Sequence, residues 1–169
     1  MSSGPRRGPE WIEVVVAIPK GSRNKYEVDH DTHDVWLDRH LFTATSYPAD
    51  YGFIPHTLAE DGDPLDVLVL LEEPTVPNCH IRARPVGVFW MTDEQGPDAK
   101  LLAVPADDPR WEHIRELDDV PSHLRAEIQH FFEVYKALEP AKDTDVGSWS
   151  GRDQAWSEID AAIAREVGL

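Results

Sequence analysis

The chain has 169 residues, and its 32 acidic side chains against 16 Lys and Arg give a formal net charge of −16 at pH 7. This length suits one compact domain, and the charge argues against nucleic-acid binding, because phosphate backbones attract basic surfaces. No apolar run approaches the roughly 18 residues of a membrane span, and a single cysteine permits no intramolecular disulfide, so we expect a cytoplasmic protein.

Residues 1–9 offer little apolar area to bury and are expected to form a disordered tail, which leaves one domain over residues 10–169. After the tail, β-branched and aromatic residues alternate with polar ones between clusters of Pro, Gly and Asp, which predicts short strands. These strands, in chain order, span residues 11–18, 25–29, 35–38, 67–71, 81–91 and 100–104. Pro85 and Gly87 predict a bend or bulge in the fifth strand, and residues 47–55 form an aromatic loop punctuated by proline.

Two amphipathic helices are predicted in the C-terminal part of the chain. After Pro121, apolar residues recur at alternating spacings of four and three residues as far as Leu138, which defines one helical face. A second helix is predicted over residues 156–167, after a connection rich in Gly and Ser at residues 147–151. Short strands followed by helices predict an α+β, mainly-β fold: a closed, OB-like antiparallel β-barrel with two or more helices packed outside.

Two turns carry clustered carboxylates. Residues 61–66 read Asp-Gly-Asp-Pro-Leu-Asp and lie directly before the most apolar strand, and residues 93–99 join the next two strands. Either turn alone is equally consistent with a solvated loop, but carboxylates that converge need a counter-charge, and Mg²⁺ prefers oxygen ligands. An EF-hand is excluded because its loop requires Gly at the sixth position and helices on both sides. Here the sixth position is Asp66, and a predicted strand follows. The candidate Mg²⁺ ligands are Asp61, Asp66, Asp93 and Asp98.

A phosphate site would also need cations and hydrogen-bond donors, and this chain offers a limited set of them. The candidates are Lys25, Arg39, Lys100, Lys136, Tyr47, Tyr51 and Tyr135. Any single lysine is more typical of a surface charge, whereas Tyr135 is equally consistent with a core residue on the helical face. The histidines show no zinc-type spacing, and Cys79 has no evident activating neighbour, so neither residue type predicts a site.

The chain resembles the soluble family I inorganic pyrophosphatases, whose hallmark Asp-Gly-Asp-Pro-x-Asp stands here at residues 61–66. Further motifs follow the family pattern in the same order along most of the chain. They are Lys25-Tyr26-Glu27, Asp38-Arg39, Tyr47-Pro48, Tyr51-Gly52, Arg84-Pro85-Val86-Gly87, Asp93, Asp98-Ala99-Lys100, His130-Phe131-Phe132 and Tyr135-Lys136. The resemblance implies a β-barrel fold and a bacterial-type enzyme, commonly a hexamer.

The resemblance also implies an activity and residue roles: Mg²⁺-dependent hydrolysis of inorganic pyrophosphate to two orthophosphates by a metal-activated water. It assigns Mg²⁺ binding to Asp61, Asp66, Asp93, Asp98 and Glu27. It assigns phosphate binding to Lys25, Arg39, Tyr51, Lys100, Tyr135 and Lys136. Asp63 is the expected general base, with Asp98 as the second choice.

One departure from the family pattern concerns the first strand, which usually ends Glu-Ile-Pro and here reads Ala17-Ile18-Pro19. A carboxylate expected near a metal or its waters is therefore absent, and such a loss costs about 10- to 100-fold in metal affinity or activity. An alternative is thus an activity-impaired paralogue that serves as a pyrophosphate- or metal-binding module. Residues 143–145 also depart from the aromatic and basic residues usual in the family at this place.

Overall fold

The computed structural model describes residues 4–93, 96–140 and 147–168, without the side chain of Asp93. Strands predominate, and two α-helices and two short 3₁₀-helices follow the first seven strands. The strands are β1 (Ile12–Ile18), β2 (Asn24–Val28), β3 (Val35–His40), β4 (Asp50–Phe53), β5 (Asp66–Val69), β6 (His80–Asp93), β7 (Gly96–Pro105) and β8 (Ser148–Gly151). The α-helices are α1 (Ser122–Val134) and α2 (Arg152–Glu166), and the 3₁₀-helices span Pro109–Trp111 and Leu117–Asp119. A mainly-β fold with two α-helices is therefore confirmed.

Six strands form one sheet in the order β1-β4-β5-β7-β6-β8, and β2 and β3 form a separate hairpin. β1 is hydrogen-bonded along both edges, because it also pairs with β6. All pairs are antiparallel except β5 with β7, which is parallel, so the expectation of a purely antiparallel sheet is wrong. In the sheet, β7 lies between β5 and β6. Because β6 and β7 form an antiparallel hairpin, β7 runs opposite to β6 and in the same direction as its other neighbour, β5.

Several strand limits differ from those predicted. β4 lies inside the expected aromatic loop, and the backbone at its Gly52 packs so closely on β1 that an added Cβ would stand 2.1 Å from the carbonyl oxygen of Val15. β8 lies in the expected connection at residues 147–151, where its four residues are too few to show a periodic pattern. The predicted irregularity between Pro85 and Gly87 is confirmed by a register shift in β6.

The two faces of the sheet bury separate hydrophobic clusters, because successive side chains of a strand point to opposite faces. Leu68 and Leu102 pack on one face with Ile128, Phe131 and Phe132 of α1. Val67, Val69, Leu101 and Ala103 pack on the other face with Ala155, Ile159 and Ala162 of α2. This alternation determines the face of the sheet on which each residue of β5 and β7 lies. Lys100 lies on the same face as Leu102, the face that packs against α1.

Helix α1 ends at Val134, four residues before the predicted end. Leu138 is 68% exposed, so its apparent place on the apolar face is wrong. Tyr135 and Lys136 consequently lie in the turn that follows the helix. No helix in the described part of the chain is long and apolar enough to cross a membrane.

Part of the segment expected as a tail makes contacts with the domain. The carbonyl oxygen of Arg6 accepts a 2.9 Å hydrogen bond from the amide of Glu13, and its guanidinium pairs with the Glu13 carboxylate at 2.6 Å. The guanidinium of Arg7 lies 4.6 Å from the ring centroid of Trp156. Residues 6 and 7 are thus held against β1 and α2.

Candidate active site

The parallel pairing of β5 with β7 creates the centre of the site. It sets Asp66 opposite Lys100, and β4 runs along the other edge of β5 and presents Tyr51 on the same face. Asp98 lies two residues before Lys100 on β7 and therefore also faces this point. The Lys100 ammonium donates to the Tyr51 hydroxyl at 2.6 Å and lies 2.9 Å from Asp66 Oδ2 and 2.8 Å from Asp98 Oδ2.

The electrostatics of this cluster show an excess of negative charge over the one ammonium group. Lys100 is 3% exposed and Asp98 is 6% exposed. Burial lowers the pKa of Lys100, but the neighbouring Asp66, Tyr51 and Asp98 outweigh burial and hold the pKa well above its usual value. The pKa of Asp98 is raised to about 6, mainly by burial; Lys100 opposes this rise and Asp66 contributes to it. Because two carboxylates share one buried ammonium, the cluster favours the binding of either a proton or an additional cation.

The turn at residues 61–64 brings two more carboxylates to the same place. Gly62 has φ +92°, which an L-residue rarely adopts, so glycine suits this turn. The amide of Asp63 donates a 3.0 Å hydrogen bond to Asp61 Oδ1, and the Asp63 carbonyl accepts one of 2.7 Å from the amide of Ala59. Burial raises the pKa of Asp61, and the neighbouring acids raise it further. Asp63 itself is exposed.

The turn after α1 contributes an aromatic and a basic group. Tyr135 is 6% exposed, and its ring stacks on Phe131 with the centroids 5.0 Å apart. Burial raises the pKa of the Tyr135 phenol, whereas Lys100 and Lys136 lower it. The ammonium of Lys136 lies 5.4 Å from the Tyr135 ring centroid. The ring of Tyr135 thus belongs to the core, and the residue also lines the cavity described next.

These groups line one cavity of about 430 Å³. The lining includes Lys25, Glu27, Tyr51, Asp61, Asp63, Asp66, Asp98, Lys100, Tyr135 and Lys136. Two larger cavities, of about 690 and 750 Å³, have linings without Asp66, Asp98 or Lys100. Charge rather than volume therefore identifies the candidate site.

Three predicted site residues are not placed in this lining. Tyr47 is 2% exposed and belongs to the hydrophobic cluster on the α1 face. Arg39 is paired with Asp38 and, through Nη2, with Glu139 Oε1 at 3.0 Å. The backbone of Asp93 ends β6 opposite Gly96, but its side chain lies outside the described part of the structure. Asp98, expected in a turn, lies instead within β7.

Some residues that line the cavity had no predicted role. His30 packs edge-on against Phe53, with the ring centroids 4.8 Å apart, and both residues line the cavity. In the sequence, only the position of His30 close to the strand of Lys25 and Glu27 could have indicated that His30 lines the cavity. Ala17, which replaces the expected glutamate, is 9% exposed and also forms part of the cavity wall.

Comparisons with known proteins identify relatives of this chain. A sequence model described as "Inorganic pyrophosphatase" matches residues 14–166. The inorganic pyrophosphatase of Streptomyces coelicolor is 59% identical over 154 residues, which cover 91% of this chain and 94% of that protein. That of Leifsonia xyli is 57% identical over 152 residues, covering 90% and 93%.

Solved structures show the same fold. The inorganic pyrophosphatase of Thermus thermophilus superimposes with a TM-score of 0.93 at 49% identity, covering 99% of this chain and 97% of that one. That of Helicobacter pylori gives a TM-score of 0.94 at 39% identity, covering 99% and 100%. These relatives place the protein among enzymes, and the chain belongs to the inorganic pyrophosphatase family. The resemblance in the sequence motifs is thereby confirmed.

Proposed function

We propose that the protein hydrolyses inorganic pyrophosphate to two orthophosphates with Mg²⁺ as cofactor. The observation that carries this proposal is the buried cluster in which Asp66 and Asp98 share the single ammonium of Lys100. Acidic and basic groups line the same cavity of about 430 Å³, with Lys25 and Lys136 among the basic ones. Such a cavity suits a polyanion that arrives together with divalent cations.

The donor set fits Mg²⁺. In the described part of the chain no three carboxylate, imidazole or thiol groups are placed to hold one ion. Mg²⁺ commonly keeps several waters and takes only one or two protein carboxylates with substrate phosphates, so a looser set of acids suits it. Its protein ligands are proposed to be Asp61, Asp66, Asp93 and Asp98, with Glu27 at a further ion or its water. When bound, Mg²⁺ lowers the pKa of the attacking water and neutralises phosphate charge.

The chain's own groups complete the reaction. Asp63 accepts the proton of the attacking water on a carboxylate oxygen, and its exposed position beside the cavity leaves it accessible to that water. Asp98 is the alternative base. The phosphates are held by charge and hydrogen bonding from Lys25, Arg39, Tyr51, Lys100, Tyr135 and Lys136.

The test is phosphate release from pyrophosphate with and without Mg²⁺, in the wild type and in Asp63→Asn. Loss of a positioned base costs about 10²- to 10⁴-fold, so Asp63→Asn is expected to lower kcat within this range. Asp118→Asn, an exposed carboxylate on a 3₁₀-helix, serves as the matched control and is expected to leave the rate unchanged. An unchanged rate in Asp63→Asn would contradict the proposed base. Turnover of the wild type at ordinary enzyme rates would exclude the activity-impaired alternative.

The assembly is proposed to be a homo-oligomer, a hexamer, in the cytoplasm. Support comes from large apolar side chains at the surface: Trp36 is 64% exposed, Leu37 58% and Val76 64%. Sedimentation velocity tests the assembly, and a monomer at micromolar concentration would contradict it.

Residues 10–169 are proposed to form one domain whose strands close into a barrel. The pairing of β1 with both β4 and β6 supports this closure.

A further inference from the structure

Glu139 is a buried carboxylate that has no role in the reaction described above. Its side chain is 4% exposed and forms a two-point contact with the guanidinium of Arg39. Arg39 Nε donates to Glu139 Oε2 at 3.2 Å, and Nη2 lies 3.0 Å from Oε1. This geometry orients the planar guanidinium as well as neutralising it.

The contact joins two walls of the cavity that are far apart in sequence. Arg39 on β3 is the register partner of Lys25 on β2, and Lys25 lines the cavity. On the other side, the amide of Glu139 donates a 2.9 Å hydrogen bond to the carbonyl oxygen of Lys136, which also lines the cavity. Glu139 therefore ties the β2–β3 hairpin to the turn that carries Tyr135 and Lys136.

We propose that Glu139 is a positioning residue for phosphate binding, acting through Arg39. It holds the guanidinium in one orientation and sets the spacing between Lys25 and Lys136 across the cavity. Glu139 takes up the edge of the guanidinium formed by Nε and Nη2, and Asp38 contacts Nη1, so an arginine with five N–H donors retains donors for an anion. The inference rests on the proposed function, because it assumes that Arg39 binds a phosphate group.

The charge of Glu139 and its positioning of Arg39 have opposite effects on KM. Glu139 is negative, and a negative charge close to a phosphate site weakens anion binding by simple electrostatics. Removal of the charge alone would therefore lower the KM for pyrophosphate. Release of Arg39 from its fixed orientation would instead raise KM, because misplaced binding groups lose affinity.

The experiment measures kcat and KM for pyrophosphate with saturating Mg²⁺ in Glu139→Gln, Glu139→Asp, Arg39→Ala and the double variant Glu139→Gln/Arg39→Ala. Both Glu139 variants are expected to raise KM about 10-fold, with kcat changed less, since misplacement of a binding group by about 1 Å is costly. The Asp variant keeps the charge but retracts the carboxylate, so it remains informative if the Gln variant does not fold. The double variant is expected to match Arg39→Ala, because a residue that acts through another adds no further loss.

Glu13→Gln is the matched control: Glu13 is also a buried carboxylate paired with an arginine, Arg6, at the opposite end of β1 from Ala17. It is expected to leave KM unchanged whatever its effect on thermal stability. The inference is overturned if Arg39→Ala raises KM while neither Glu139 variant does, or if the effects in the double variant multiply. An unchanged KM in Arg39→Ala refutes the phosphate role of Arg39, and with it the inference. No hydrolysis by the wild type refutes the proposed function itself.

Discussion

Asp98→Asn is expected to stabilise the metal-free protein at neutral pH, although the same substitution should abolish activity. The cause is the burial of Asp98, which raises its pKa from the usual 3.8 to about 6. The folded protein therefore holds this proton more tightly than the unfolded chain does. Ionisation of Asp98 destabilises the fold as the pH rises from 3.8 to 6, and the cost is fully present above pH 6.

The magnitude follows from the size of this change in pKa. A difference between 3.8 and about 6 corresponds to about 3 kcal/mol at pH 7.5, and it falls towards zero below pH 3.8. Asparagine cannot ionise, so the variant escapes this cost while it retains a side-chain oxygen that can accept a hydrogen bond from Lys100. The expected gain in the free energy of unfolding is thus up to about 3 kcal/mol at pH 7.5 and well under 1 kcal/mol at pH 4.

The assay is urea denaturation in EDTA at about pH 4 and pH 7.5, at one protein concentration, since assembly would make stability depend on concentration. Asp118→Asn, at an exposed position, controls for the general effect of removing a negative charge from a chain of net charge −16. A difference between variant and wild type that is the same at both pH values would refute the reasoning. So would a wild type that is the more stable protein at pH 7.5.

Lys100→Met leaves the buried Asp98 and the half-buried Asp66 without their shared ammonium and should cost about 3–5 kcal/mol in EDTA. Mg²⁺ should recover part of this loss, and a loss independent of Mg²⁺ in urea denaturation would contradict a shared metal site. Ala17→Glu places a carboxylate in the cavity wall, and it should lower the Mg²⁺ concentration for half-maximal phosphate release about 10-fold. An unchanged concentration would show that the wild type compensates for Ala17. Gly52→Ala puts a Cβ 2.1 Å from the carbonyl oxygen of Val15, so β1 and β4 must separate, and a loss of about 2–3 kcal/mol is expected in the same denaturation assay.

Much of the site could be predicted because its residues lie in short local motifs. The turn at residues 61–66 is recognisable from Gly and Pro between acids, and the structure places Asp61, Asp63 and Asp66 along the same cavity as Asp98. The strands rich in β-branched residues and the start of α1 were also predicted. Strand β8 and the end of α1 were not, because a four-residue edge strand has no detectable period and Leu138 continues a spacing that the helix does not follow.

The sequence by itself determined the chemistry available to this protein: clustered carboxylates, a small set of lysines and tyrosines, and a first strand that carries Ala17. Only the tertiary structure decided which of these groups meet. The parallel register of β5 and β7 sets Asp66 beside Lys100 across 34 residues, and Glu139 reaches Arg39 across 100 residues. Such pairings depend on strand order and on the packing of α1 against the sheet, which are long-range properties that local residue patterns do not encode.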